Sequence, residues 1–137
     1  MDLRKKSDVL WDEALKDLDV GCYNKAVSAS YFSVRLAAES VLKGLKTSKD
    51  DKIANALERV LSKKLGKERA KEMRDRYMGL YAARKLADHR AFSFDRELAS
   101  SYVKMAKELR KVILSLASGD RVGGADESMN NERGRRT

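Results

Sequence analysis

The stretch Tyr23–Gly44 reads YNKAVSASYFSVRLAAESVLKG and is apolar on most sides of a helix. Small residues alternate with large ones, and Arg35 and Glu39 are the charged exceptions in its interior. A helix with so few charges needs neighbours on several faces, so we expect it to be the central helix of a bundle. The i, i+4 spacing of Arg35 and Glu39 predicts an ion pair, which fits a structural role as well as a contact with a ligand.

Further helical segments lie on both sides of this stretch. The preceding segment, around Trp11, has apolar residues at i, i+3 and i+4 spacing, and Ser7 is its expected N-cap. Gly21 then predicts that this helix ends at a glycine in the left-handed backbone conformation. After the central helix, Thr47–Asp51 supplies polar capping residues, and three more helical segments follow. The absence of proline and the abundance of leucine, alanine, lysine and glutamate favour helix nearly throughout.

The pattern changes near the carboxyl end of the chain. From Ser118 onward, glycine, asparagine and balanced charges replace the apolar periodicity. We therefore predict an all-α, up-and-down antiparallel bundle of four to five helices over residues 1–117, and a disordered tail over residues 118–137. A chain of 137 residues can bury one substantial core without a disulfide, which a single cysteine cannot form internally.

Composition also limits the environment and the cofactors. No apolar run approaches the roughly 20 residues that span a bilayer, and the charged start of the chain does not resemble a signal peptide, so we expect a cytoplasmic protein without a membrane partner. One histidine, one cysteine and no spaced carboxylate cluster predict no metal site, and no cofactor is expected. The net charge of +9 suits phosphate-bearing partners, although lysine-rich helices also serve as solvated outer faces.

The only histidine, His89, lies where the fourth helical segment ends. Arg84 and Asp88 precede it within about one turn, so a fixed cation, a carboxylate and a titratable imidazole are close in sequence. The same segment carries a run of basic residues that includes Arg76 and Lys85. Proton transfer next to a phosphate is the chemistry that this combination favours.

The segment Tyr23–Phe32, the alanine-rich helix that continues it, and the motif Arg84-Lys-Leu-Ala-Asp-His89 together resemble the HEPN superfamily of small prokaryotic helical bundles. The chain is most similar to the uncharacterised archaeal and bacterial group with a tyrosine-rich second helix and an Arg-x-x-Ala-Asp-Tyr signature. The resemblance extends from Leu3 to about Leu116. It implies a HEPN-like bundle.

In catalytic HEPN proteins, the arginine and histidine of an Arg-x4-6-His motif cleave RNA without a metal, commonly in a cleft of a homodimer. Arg84 and His89 match that motif. The resemblance therefore implies a toxin-like endoribonuclease that acts as a homodimer and is paired with a minimal nucleotidyltransferase. His89 would transfer a proton and Arg84 would stabilise charge on phosphorus. The candidate contacts to RNA are Lys85, Asp88, Arg76 and Arg35.

Three departures from the family pattern keep other functions open. Lys85 occupies a position where active members have a polar residue, the last motif position is commonly tyrosine in the closest group, and His89-Arg90-Ala91 replaces the His-x-Tyr acceptor of modified toxins. The alternative function is a non-catalytic module that binds a nucleotide or a nucleotidyltransferase. A purely structural bundle, in which Arg84 pairs with Asp88, is a third. On a regular helix Arg84 and His89 would differ by about 140° in direction, so they converge only where the helix ends or across subunits.

Overall fold

The computed structural model describes residues 2–89 and 91–117, which form five α-helices and no strand. The helices are α1 (Leu3–Asp19), α2 (Tyr23–Val41), α3 (Asp50–Leu65), α4 (Lys67–Ala87) and α5 (Arg96–Leu114). The prediction of an all-α bundle is confirmed. The predicted tail over residues 118–137 lies outside the described residues.

Helix α2 is the centre of the bundle, as its sequence predicts. It packs against each of the other four helices, and Val27, Tyr31 and Val34 are almost completely buried along it. Its alanines allow close approach of the neighbouring helices. Short connections join α1 to α2 and α3 to α4, where Gly21 and Gly66 adopt φ values of +86° and +89° that favour glycine. Each pair of helices therefore runs antiparallel.

The described residues form a large core and a smaller one. The large core contains most of the buried residues of α2, α3, α4 and α5. The smaller core, here called the second core, brings together Val27, Ala83, Phe94 and Ala99. Because Phe94 belongs to the connection between α4 and α5, the second core anchors that connection on the bundle.

The predicted N-cap of α1 is wrong. Helix α1 begins at Leu3, and the side chain of Asp2 caps it by accepting a 2.8 Å hydrogen bond from the backbone N–H of Lys5. Ser7 instead lies inside the helix and is buried. Its hydroxyl donates to the carbonyl of Ser33 at 2.6 Å, and the Ser33 hydroxyl donates to the carbonyl of Ser7 at 3.0 Å. The two serines therefore link α1 to α2.

Candidate functional site

His89 is the residue that follows the C-cap of α4. The helix ends at Ala87, with Asp88 as its C-cap, and the N–H of His89 donates to the carbonyl of Leu86 at 3.0 Å. The 140° separation expected on a regular helix therefore does not apply to Arg84 and His89. We call the connection between α4 and α5, with described residues 88–89 and 91–95, the His89 loop.

The imidazole of His89 is exposed and has one hydrogen bond to the described residues. Its Nδ1 accepts from the backbone N–H of Ala91 at 3.3 Å. Because an acceptor nitrogen carries no proton, the neutral ring has its proton on Nε2. A hydroxyl that displaces this long contact would meet the Nδ1 lone pair, so Nδ1 is the atom that can accept a proton.

Arg84 lies in the last turn of α4 between a carboxylate and two aromatic rings. Its Nε lies 3.0 Å from Oδ2 of Asp88, and its Cζ lies 5.0 Å from the ring centre of Phe32 and 5.7 Å from that of Tyr31. The charges attract, but the buried Nε is not aligned for a hydrogen bond and has no other partner among the described residues. The rings of α2 therefore fix the guanidinium, and Asp88 neutralises part of its charge.

The other predicted residues of α4 differ in their surroundings. Lys85 is exposed, and its Nζ lies 4.9 Å from the ring centre of Tyr81. Arg76 pairs with Glu108 of α5 and lies eight residues before Arg84, or about 12 Å along the helix. All four arginines of α4 form ion pairs with carboxylates; they are Arg69, Arg74, Arg76 and Arg84. The predicted basic run is therefore partly neutralised.

Arg35 is part of a buried polar group rather than an open cation. Its Nε lies 2.8 Å from Glu39, which confirms the predicted ion pair, and its other two nitrogens reach Asp50 at 3.3 Å and the carbonyl of Ser48 at 2.6 Å. Burial by itself lowers the pKa of Arg35. Hydrogen bonds with Glu39 and Tyr31 outweigh that effect and raise the pKa, so the guanidinium stays charged.

Asp50 is the centre of this group, and the sequence alone suggests only a capping role for it. It is 9% exposed and accepts hydrogen bonds from the hydroxyls of Tyr31 and Tyr77, the latter at 2.8 Å. We call Tyr31, Arg35, Asp50 and Tyr77 the Asp50 cluster. Burial, with the hydrogen bond to Asp50, raises the pKa of Tyr31 to about 12 and raises the pKa of Tyr77 as well.

A cavity of about 440 Å³ lies beside the Asp50 cluster at the start of α3. Tyr81 lies on its wall together with Lys49 and Met78, and the remaining lining residues are Ser48, Asp50 and Asp51. Tyr81 also contacts the ring of Tyr31, with 5.8 Å between the ring centres. Since the ring of Tyr31 lies beneath Arg84, Tyr31 connects the cavity wall with the end of α4.

Asn24 is a second residue that the sequence does not single out. Its Nδ2 donates to the carbonyls of Ala87 at 3.0 Å and of Phe92 at 2.9 Å, and its Oδ1 accepts from the N–H of Phe94 at 2.8 Å. Its side chain thus connects the first turn of α2 with both sides of His89. A polar residue at the start of an apolar helix was the only available signal, and it does not indicate these partners.

The structure therefore places Arg84, Lys85, Asp88 and His89 at the end of α4. Arg35 donates to the hydroxyl of Tyr31, and Arg84 lies over the ring of the same tyrosine. Arg76 is engaged with α5 instead. Within residues 2–89 and 91–117, no group of three or more histidine, cysteine, aspartate or glutamate side chains is arranged to hold a metal ion. Nor does this part of the chain contain a helix long and apolar enough to cross a membrane.

Comparison with known proteins gives no assignment. No protein-family model matches the chain, and no curated protein or solved structure shows significant similarity to it.

Proposed function

We propose that this protein is a metal-independent endoribonuclease of the HEPN type that acts as a homodimer, with Arg84 and His89 as its catalytic residues. One observation carries the proposal. The imidazole of His89 is exposed beyond the end of α4, on a loop anchored to the bundle, five residues after an arginine whose guanidinium rests on aromatic rings. A titratable group and a fixed cation are the two elements that RNA cleavage without a metal requires.

The proposed reaction needs one base and one acid. Neutral His89 accepts the proton of the ribose 2′-hydroxyl at Nδ1 after its contact with Ala91 opens, and the 2′-oxygen attacks phosphorus. Protonated His89 of the second copy donates a proton to the departing 5′-oxygen, leaving a 2′,3′-cyclic phosphate. One histidine in each chain explains why the reaction requires two copies.

Arg84 stabilises the additional negative charge that develops on the phosphoryl oxygens. Asp88 competes for the same cation and must be displaced when RNA binds. Toxin-like activity controlled by a minimal nucleotidyltransferase is the biological setting that we propose for this chemistry.

The test is cleavage of single-stranded RNA by the full chain in EDTA. We expect His89→Ala and Arg84→Ala each to lower the cleavage rate at least about 100-fold. The matched control is Arg69→Ala, which removes the same charge from an exposed position of α4 and should leave the rate unchanged. Light scattering should give twice the chain mass of 15.5 kDa. Equal cleavage by the wild type and both catalytic variants would refute the assignment.

A second candidate function is a non-catalytic module that binds a nucleotide or a nucleotidyltransferase. The cavity beside Tyr81 favours it, because its volume of about 440 Å³ is in the range of small-molecule sites and its wall combines an aromatic ring with Lys49. Titration calorimetry with a nucleoside monophosphate should then give heat that Tyr81→Ala removes and His89→Ala retains. Absence of heat with the wild type would exclude nucleotide binding, and failure to bind a co-expressed minimal nucleotidyltransferase would exclude the partner.

A further inference from the structure

His89 lies outside α4, so the helix does not fix its position. Its backbone has two turn-type hydrogen bonds, from its N–H to Leu86 and from the N–H of Phe92 to its carbonyl. Such turns are weak by themselves when they are exposed to water. The orientation of the imidazole therefore depends on what holds the residues on either side of it.

The side chain of Asn24 holds both sides. One nitrogen, Nδ2, lies within 3.0 Å of the carbonyl oxygens of Ala87 and Phe92, which precede and follow His89. The backbones of Ala87 and Phe92 are thus held by a single atom. The Oδ1 of the same amide accepts from Phe94, so both donor hydrogens and the acceptor of Asn24 are used on one loop.

The backbone partner of the imidazole lies next to Phe92 in the chain. Ala91, whose N–H donates to Nδ1 of His89, lies between the two carbonyls that Asn24 binds. Holding Ala87 and Phe92 therefore also directs the Ala91 amide towards the ring. This contact determines which ring nitrogen carries the proton in the neutral state.

We propose that Asn24 is the positioning residue of His89, acting through the backbone of Ala87, Ala91 and Phe92 to set the orientation and the protonated nitrogen of the imidazole. The proposal rests on the proposed function only for its effect on RNA cleavage. Asn24 does not touch the substrate. The second core anchors Phe94 independently, with Phe94 only 4% exposed, so the loop stays attached to the bundle when Asn24 is replaced.

The experiment compares Asn24→Ala and Asn24→Asp with the wild type, using tag-free, nitrogen-15-labelled full chain. Aspartate has the shape of asparagine but cannot donate, and its charge faces two carbonyl oxygens, so it removes the bonds to Ala87 and Phe92. Asn55→Ala is the control, since Asn55 is exposed on α3. The single histidine gives one set of ring signals in the NMR spectrum.

We expect both Asn24 variants to shift the His89 ring signals and the Ala91 amide signal, whereas the control leaves them in place. In RNA cleavage, the variants should lower kcat roughly 10- to 100-fold without changing KM. A folded Asn24 variant whose His89 signals match the wild type would overturn the proposal. If the wild type does not cleave RNA, the proposed function fails, yet the NMR comparison still decides the role of Asn24.

A measurement on the wild type decides the case if both variants unfold. The amide of Phe94, which donates to Asn24, and the amide of Ala91, which donates to Nδ1 of His89, should both be protected from hydrogen exchange. Both results together support the proposal. Rapid exchange at Phe94 or at Ala91 overturns it.

Discussion

The Asp50 cluster and the His89 loop both depend on one polar side chain that makes several hydrogen bonds, but they differ in what they leave exposed. In the cluster, two buried tyrosines and an arginine donate hydrogen bonds to Asp50, so its carboxylate oxygens are occupied by groups of the protein itself. In the loop, Asn24 binds only backbone groups, and the imidazole of His89 remains exposed. The first arrangement is internal to the fold, whereas the second holds backbone groups on both sides of an exposed imidazole.

Replacing Asp50 tests the structural half of this comparison and has the largest expected effect. Asp50→Ala leaves the hydroxyls of Tyr31 and Tyr77 and the Arg35 guanidinium without their shared acceptor in the interior, so the free energy of unfolding should fall by about 3 kcal/mol or more. Urea denaturation measures the loss. The control is Asp51→Ala at the exposed neighbouring position, with an expected change below about 0.5 kcal/mol. A loss below 1 kcal/mol for Asp50→Ala would contradict a structural role for the cluster.

The cluster also predicts a loss of stability in base. The pKa of Tyr31 is raised from 10.0 to about 12, and that of Tyr77 is raised as well, so the folded state retains protons that the unfolded state releases. Stability is therefore complete below pH 10 and falls as the pH rises towards 12, by about 1.4 kcal/mol per pH unit for each tyrosine. Urea denaturation at pH 9, 10 and 11 tests the slope. A variant with Tyr77→Phe should show a shallower decline, and an equal slope would argue against this origin.

Replacing Asp88 tests the part of the comparison that concerns the His89 loop. Asp88→Asn removes the carboxylate that competes for Arg84, so affinity for a single-stranded RNA oligonucleotide should rise about two- to fivefold, the factor expected from a partly exposed ion pair. Fluorescence anisotropy measures the affinity. Asp75→Asn, which removes the same charge elsewhere on α4, controls for net charge and should have a smaller effect. Equal gains in the two variants would indicate general electrostatics rather than access to Arg84.

Gly79 lies on α4 between the two regions, and its replacement has the smallest expected effect on stability. A Cβ at Gly79 would meet no other atom within 4 Å, so Gly79→Ala should stabilise the protein by about 0.5 to 1 kcal/mol through helix propensity. Gly66→Ala is the opposite control, because φ of +89° strains any other residue and should lower stability. Thermal unfolding compares the two. A lower Tm for Gly79→Ala would show that α4 needs glycine for a reason other than its local helix geometry.

The sequence predicts the fold well because helix formation and burial are local patterns. The few charges within Tyr23–Gly44 predict the central helix, and the spacing of Arg35 and Glu39 predicts their ion pair. The start of α1 was predicted wrongly because both Asp2 and Ser7 are capping residues, and periodicity does not decide between them. A buried serine inside a helix looks the same in sequence as a cap.

The site was predicted only in part because its main contacts join distant positions. The motif of Arg84 and His89 is visible in sequence, but the partners of Asp50 lie 19 and 27 residues away from it. A carboxylate in the polar stretch Thr47–Asp51 is therefore interpreted as a cap. The catalytic roles of Arg84 and His89 stay predictions. The same holds for the roles in binding RNA of Lys85, Asp88, Arg76 and Arg35.

The bonds made by Asn24 also have a consequence for the order of folding. They connect residues 63 to 70 positions apart in the chain, whereas each helix can form from neighbouring residues. Closing such long loops costs conformational entropy before the contacts add any stability. These contacts therefore form late in folding. A nascent chain can thus contain every helix and still lack an ordered imidazole, and any activity that depends on His89 would begin only with the completed bundle.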